Sequence, residues 1–223
     1  MNIFIPIKGN SQRVPKKNFK LIKGIPLYKH CLYKFAKDFK IYVDTDSDAI
    51  FDNIKKDPNL KNVTVFKRDK NLIGDTVSVC DLISNFIKKF NIQGNICQLH
   101  VTSPLLTLDT IINASKFFES GYDSIVSCDT VQTRIWRKEK YGYCPVAHNP
   151  TKLEQSQDLP KLYIENNAFF MFNSDLFLNT KTRVGNNPYF YEIQFPENID
   201  IDTHLDIQTL NSLKENYNVS SVS

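Results

Sequence analysis

A Rossmann-like α/β fold, a mostly parallel sheet with helices on both faces, is the class the sequence predicts, and three observations predict it. Short runs rich in Ile, Val and Phe alternate with stretches of helical periodicity. Ser, Thr or Asp residues stand where capped helices would start after those runs. The chain has 223 residues, 41% of them hydrophobic, enough to close one sizeable core. Alternation of this kind puts ligands outside the carboxyl ends of the strands, so the loops that follow strands are the ones to read for function.

In chain order, Asn2 to Ile7 predicts a buried strand opening into a loop at Gly9-Asn10-Ser11. Pro26 suits a first helical turn, followed by Leu27, Cys31, Leu32 and Phe35 at helical spacing. Phe39 to Val43 reads as a second strand, after which Asp46 or Ser47 caps a short helix through Lys56. Val63 to Phe66 gives a third strand. Asp75-Thr76 then opens a helix with Val79, Leu82, Ile83, Phe86, Ile87 and Phe90 on one face. Ile96 to Val101 is a fourth strand, and Thr107 caps a helix burying Leu108, Ile111, Ile112 and Phe118. Ser124 to Cys128 is a fifth. Between Asp129 and Glu165 the periodicity breaks, and hairpins and an irregular arm are expected on an otherwise single domain of residues 1–223. Ala168 to Phe172 returns to a buried strand, Ser174 caps a short helix, and Tyr189 to Phe195 is a further strand. Thr203 caps a last helix with Leu205, Ile207, Leu210 and Leu213 inside, and a tail from Asn218 is expected to fray.

Composition excludes several classes. The longest apolar runs, such as Ala168 to Phe172, fall far short of the ~20 residues that cross a bilayer. Met1 to Lys8 has neither a basic leader nor a signal-length apolar core, so a cytoplasmic protein is expected. The cysteines, Cys31, Cys80, Cys97, Cys128 and Cys144, are odd in number and show no Cys-x-x-Cys spacing, which speaks against a disulfide framework or a zinc site. Charge is uneven: nine of the 28 basic residues precede Asp38, the first of the 24 acidic ones, and the rest of the chain is net acidic. A local anion site near the amino end follows, for a nucleoside triphosphate or for nucleic acid.

The loop from Lys8 to Asn18 surrounds Gly9 with cations, the combination of backbone amides, Lys and Arg that binds a triphosphate. It matches neither the P-loop nor the dinucleotide glycine pattern. Taken alone it also fits a solvated basic surface; a nucleic-acid groove would interleave aromatics, and only Phe19 is near. Near the other end, Asp200 and Asp202 are spaced i, i+2 before a helix, so in extended backbone both carboxylates can reach one hard cation such as Mg²⁺. The same residues also read as a simple helix cap. His100 follows a strand, in a loop that would face a ligand.

In order and spacing, Ile5-Pro6-Ile7-Lys8-Gly9-Asn10-Ser11-Gln12-Arg13-Val14-Pro15-Lys16-Lys17-Asn18, Arg68 with Asp75-Thr76, Thr102-Ser103-Pro104-Leu105 and Asp200-Ile201-Asp202-Thr203 resemble the acylneuraminate (CMP-sialic acid synthetase-like) cytidylyltransferases. The likeness covers nearly the whole chain, and the segment from Arg183 to Glu192 looks like one common in bacterial members. The resemblance implies an enzyme that condenses CTP with a nine-carbon 2-keto sugar acid, giving a CMP-sugar and pyrophosphate. It implies that Lys8, Gly9, Asn10, Ser11, Arg13, Lys17 and Asn18 hold the nucleotide, with Lys8, Arg13, Lys17 and Asp202 catalytic. Arg68, Asp75, Thr76 and Ser78 match positions around base and ribose. His100, Thr102, Ser103, Asn166 and Asn167 match the acceptor site, and Asp200 and Asp202 the Mg²⁺ pair. It further implies a homodimer in which the arm, residues 129–165, closes the partner's sugar site, with no nucleic acid or membrane partner.

The departures concentrate on the acceptor. Lys8 stands where many members have Arg, and Gln12 where they have Lys. The family's Q-P-T-S-P-L-R becomes His100-Val101-Thr102-Ser103-Pro104-Leu105-Leu106, and R-P-N-G-A becomes Ile164-Glu165-Asn166-Asn167-Ala168. An arginine that forks onto a carboxylate is not replaced by isoleucine. A nucleotidyltransferase of the same fold with another acceptor or nucleotide is therefore the alternative expectation.

Overall fold

The computed structural model describes residues 1–213, so the tail from Asn218 lies outside the described residues. The elements in order are β1 (Asn2–Ile7), β2 (Leu21–Ile22), β3 (Ile25–Pro26), α1 (Leu27–Phe35), β4 (Lys40–Thr45), α2 (Asp48–Lys56), β5 (Val63–Lys67), α3 (Val79–Phe90), β6 (Asn95–Leu99), α4 (Leu108–Ser115), β7 (Ser124–Val131), β8 (Ile135–Glu139), β9 (Gly142–Val146), β10 (Leu162–Asn173), α5 (Ser174–Thr180), β11 (Pro188–Glu192) and α6 (His204–Ser212).

Seven strands form one sheet in the order β11-β7-β10-β6-β1-β4-β5. All run the same way except β10, which is antiparallel to both neighbours. From β1 the chain adds β4 and β5 on one side and then returns to place β6 on the other. The crevice between the carboxyl ends of β1 and β6 is thus a topological switch point.

Strand periodicity divides the core between two faces. Ile3, Ile5 and Ile7 point to one, with Ile41 and Val43, under α1, α2 and α4. Phe4 and Tyr42 point to the other, under Leu82, Ile83, Phe86 and Ile87 of α3 and Phe177 of α5. The Phe4 and Phe86 rings stack at 4.5 Å, and each fully buried phenyl contributes about 1.5–3 kcal/mol through lost water contact. A smaller cluster joins the β2–β3 hairpin to Leu105, Ile201 and Leu210.

Several boundaries differ from expectation, for local reasons. The cap of α3 is Ser78, three residues beyond Asp75: its hydroxyl accepts from Asp81 N, and the Asp81 carboxylate accepts from Ser78 N. Asn173, not Ser174, caps α5. Ile112 and Leu205 are 38% and 67% exposed, because at about 100° per residue Ile112 lies a quarter-turn or more from Ile111, and Leu205 about 140° from buried Leu210. Thr107 and Thr203 cap α4 and α6 as the sequence indicates, and of the two candidates Asp46 and Ser47 it is Ser47 that caps α2. The arm is narrower than 129–165, since β7 and β10 keep pairing from Val131 opposite Leu162 to Cys128 opposite Glu165. The two-stranded sheet of β8 and β9 lies between these paired segments in the chain.

Candidate functional site

The first loop leaves β1 and is held down by its backbone. Gly9 N donates to Asp46 Oδ1 at 2.6 Å. A Cβ at Gly9 would stand 2.8 Å from Ser47 Cβ, so this close approach requires glycine. Asp46 is itself held by Arg68 Nη1 at 3.5 Å, and Arg68 Nε donates to Asp44 Oδ1 at 2.5 Å, a pair almost wholly removed from solvent. Burial lifts the Asp44 carboxyl above its ordinary range while Arg68 pulls it back. Asn18 Nδ2 donates to Lys8 O at 2.7 Å, closing the loop at its base.

Thus pinned, the loop turns its charges into a cleft of about 410 Å³ at the switch point. Lys8, Asn10, Ser11, Gln12, Arg13, Lys17 and Asn18 form one wall, and Asp75, His100, Val101 and Thr102 face them. Asp75 receives Lys8 Nζ at 3.4 Å and Gln12 Nε2 at 2.9 Å. Asp202 receives Arg13 Nη1 at 2.6 Å and Lys17 Nζ at 3.4 Å, and Lys17 Nζ also donates to Ile201 O at 2.7 Å. The loop cations therefore rest on carboxylates drawn from two distant segments. Behind the loop a shallower groove of about 730 Å³ is lined by Gly9, Phe19, Asp46, Ser47 and Ile73.

Across the cleft, the turn after β6 is fixed from both flanks. Lys34 Nζ of α1 donates to Pro104 O and Leu106 O at 3.0 and 2.6 Å, and burial lowers its pKa to about 8. The Glu197 carboxylate accepts from Thr107 N and hydroxyl. His100 N donates to Ala168 O, and its buried Nε2 has no partner. Burial first, then the charges of Arg183 and Lys17, push the His100 pKa down to about 4, so the ring is neutral.

The expected residues separate into two groups. The structure brings Lys8, Asn10, Ser11, Arg13, Lys17, Asn18, Asp75, His100 and Thr102 onto the cleft, with Gly9 beneath the loop and Asp202 paired to its cations. Arg68 is instead buried between Asp44 and Asp46, so it supports the loop from below rather than facing a base. Ser78 is engaged in capping α3, and Thr76 is exposed beside it. Ser103 is 3% exposed within the turn. Asn166 Nδ2 donates to Asp129 Oδ1, while exposed Asn167 has φ 58° at the irregularity in β10. Three residues to which the sequence reading gave no role are Lys34, Glu197 and Arg183, the last within a segment noted only as family-like. Their motif gives no cue, since each acts on a segment far away in sequence.

Asp200 and Asp202 lie outside any helix or strand, just before α6. Burial, with the Asp202 charge adding to it, raises the Asp200 carboxyl, while Thr102, Lys17 and Arg13 oppose. Two neighbouring carboxylates, one of them raised, suit a hard divalent cation, and Mg²⁺ needs only one or two when phosphate and water complete its shell. Among the described residues no cluster of three or more metal-ligating side chains occurs, nor is any helix long and apolar enough to cross a membrane.

A family model described as cytidylyltransferase matches residues 3–221. N-acylneuraminate cytidylyltransferase A of Danio rerio is 26% identical over 211 residues, covering 92% of this chain and 49% of its own. The chain thus spans about half the length of the N-acylneuraminate cytidylyltransferases it matches. CMP-N,N'-diacetyllegionaminic acid synthase of Legionella pneumophila is 26% identical over 229 residues, covering 95% and 94% of the two chains. Among solved structures, a CMP:2-keto-3-deoxy-manno-octonic acid synthetase complexed with CTP shares the fold, with TM-score 0.65 and 14% identity over 95% of this chain and 96% of that one.

Proposed function

The chain belongs to the cytidylyltransferase family and is thereby a nucleotidyltransferase, and we propose that it transfers CMP from CTP to a sialic acid-like nonulosonate, releasing pyrophosphate, with Mg²⁺. The observation that carries this reading is the meeting of Arg13 and Lys17 with Asp202 beside a cleft at the β1–β6 crevice. The anomeric hydroxyl of the acceptor attacks the α-phosphorus in line and pyrophosphate leaves, a reaction carried by positioning and charge neutralisation. Lys8, Arg13 and Lys17 neutralise the phosphates and the leaving group, exchanging the carboxylates that now hold them for phosphate oxygens. Asp200 and Asp202 would hold Mg²⁺, which when bound offsets charge on phosphate and acceptor oxygens. The Asp44–Arg68–Asp46 relay keeps Gly9 and its loop in place for that exchange.

The reaction is placed in the cytoplasm, in a homodimer. Exposed Trp136, Tyr141, Tyr143 and Leu153 support a second copy against residues 129–165. Pyrophosphate release with Mg²⁺, the four ribonucleoside triphosphates and a panel of 2-keto sugar acids tests the reading. Release confined to CTP with a nonulosonate is expected. CTP binding without release from any panel member would favour another acceptor, the reading that apolar Leu106 and Ile164 keep open.

A further inference from the structure

A nonulosonate carries a carboxylate beside its reacting carbon, and in a partly dry cleft that charge needs a cation. The two positions where the resemblance would place an arginine supply none: Leu106 is buried in the turn after β6, and Ile164 is on β10. Lys8, Arg13 and Lys17 stand at the nucleotide side, on Asp75 and Asp202.

Arg183 lies elsewhere, in the segment between α5 and β11. Its guanidinium lies 3.7 Å over the Phe170 ring, and Nη1 donates to Gln98 Oε1 at 2.7 Å. Among the described residues it forms no ion pair with a carboxylate. Phe170 is opposite Gln98 in the β10–β6 register, so both side chains share a face. Gln98 is wholly buried; its oxygen accepts from Arg183 and its Nε2 has no partner. His100 follows two residues on, lines the cleft, buries Nε2 without a partner and experiences the Arg183 charge. A guanidinium with no carboxylate in contact, sensing among carboxylates only the more distant Glu165 charge, and two unpartnered nitrogens therefore lie together near the mouth of β6, where burying them costs stability unless a ligand completes them.

We propose that Arg183, with Gln98 and His100, forms the subsite that receives the acceptor's carboxylate, taking the part that Leu106 and Ile164 cannot. The inference rests on the proposed reaction. Stacking on Phe170 fixes the plane of the guanidinium, which makes it a fork for a planar carboxylate rather than a diffuse point charge.

The test is steady-state kinetics with CTP and N-acetylneuraminate, as free acid and as its C1 methyl ester, for the wild type, Arg183→Gln and Arg183→Lys. Arg183→Gln should raise the acceptor KM about 10- to 100-fold, the loss expected for charge-assisted hydrogen bonds, with the CTP KM unchanged. The wild type should lose as much with the ester, and the variant should no longer distinguish acid from ester. Arg183→Lys should recover part of the loss. Discrimination between acid and ester that survives Arg183→Gln would overturn the proposal. An NMR titration of the Arg183 Nε–H signal in CTP-loaded protein separates this from the reaction itself. A shift with N-acetylneuraminate and none with inorganic phosphate is expected. A shift with phosphate alone, or with neither, would remove the carboxylate subsite. A shift with the sugar acid but no turnover would sink the reaction and keep the subsite.

Discussion

At the mouth of β1, Lys8, Arg13 and Lys17 rest on carboxylates of distant segments, whereas at the mouth of β6, Gln98 and His100 each bury a nitrogen without a partner. At the first end three cations share two carboxylates, and in the proposed reaction a triphosphate would enter by replacing those carboxylates. The second end is incomplete, and its ligand supplies what is missing. On the proposed reaction, phosphate binding could stay fixed while the acceptor end is rebuilt: the first loop departs from the family motif by Lys8, which keeps a cation, and Gln12, whereas His100, Leu106 and Ile164 change the chemistry of the other end.

The largest effect expected is on the support of the nucleotide end. Arg68→Met strands a buried Asp44 carboxylate and should cost about 3–5 kcal/mol in urea unfolding, and adding Asp44→Asn should restore much of it. A single variant as stable as wild type would show that the loop does not hang on this pair. Asp202→Ala should lower kcat by about 10²-fold or more while the melting temperature stays close to wild type; normal pyrophosphate release would take that carboxylate out of the mechanism.

At the mouth of β6 the expected signature is acid sensitivity. His100 has its folded pKa at about 4 against an ordinary 6.5, so between those values the unfolded chain binds the extra proton. Stability contributed by the neutral ring is complete above pH 6.5 and is lost as pH falls through 4, on the order of 2–3 kcal/mol. His100→Gln should flatten that part of the unfolding profile, and a profile parallel to wild type would contradict the buried neutral ring. The smallest effect concerns Asp75, an exposed carboxylate that holds Lys8 and, on the proposed reaction, would compete with phosphate for it. Asp75→Asn should tighten CTP binding by at most about fivefold in calorimetry, and weaker binding would make Asp75 a nucleotide contact instead.

Much of this was legible in the chain. Short apolar runs located β1, β4, β5 and β6, and capping side chains at Asp46 or Ser47, Thr107 and Thr203 located three helix starts, because both signals are local. The first loop and the Asp200–Asp202 pair could be seen as oppositely charged partners, though not the bonds from Arg13 and Lys17 to Asp202. The direction of β10 was not legible: a run such as Ala168 to Phe172 fits an antiparallel ladder as well as a parallel one. That reversal extends β7 and β10 into the expected arm. Arg68 was misplaced because a charged side chain carries no sequence mark of which face of the loop it serves, and Arg183 was passed over because its partners are Gln98 and Phe170.

The bonds of Arg13 and Lys17 to Asp202 join points 189 and 185 residues apart in the chain. During synthesis the basic loop emerges first and waits for almost the whole sequence before its acidic counterpart exists. Contacts of such separation are late and slow to close. A chain interrupted before residue 200 would display the cationic loop without Asp200 or Asp202, able to attract anions yet unable to assemble this centre. The centre thus doubles as a record that the polypeptide between its two halves has been made and folded.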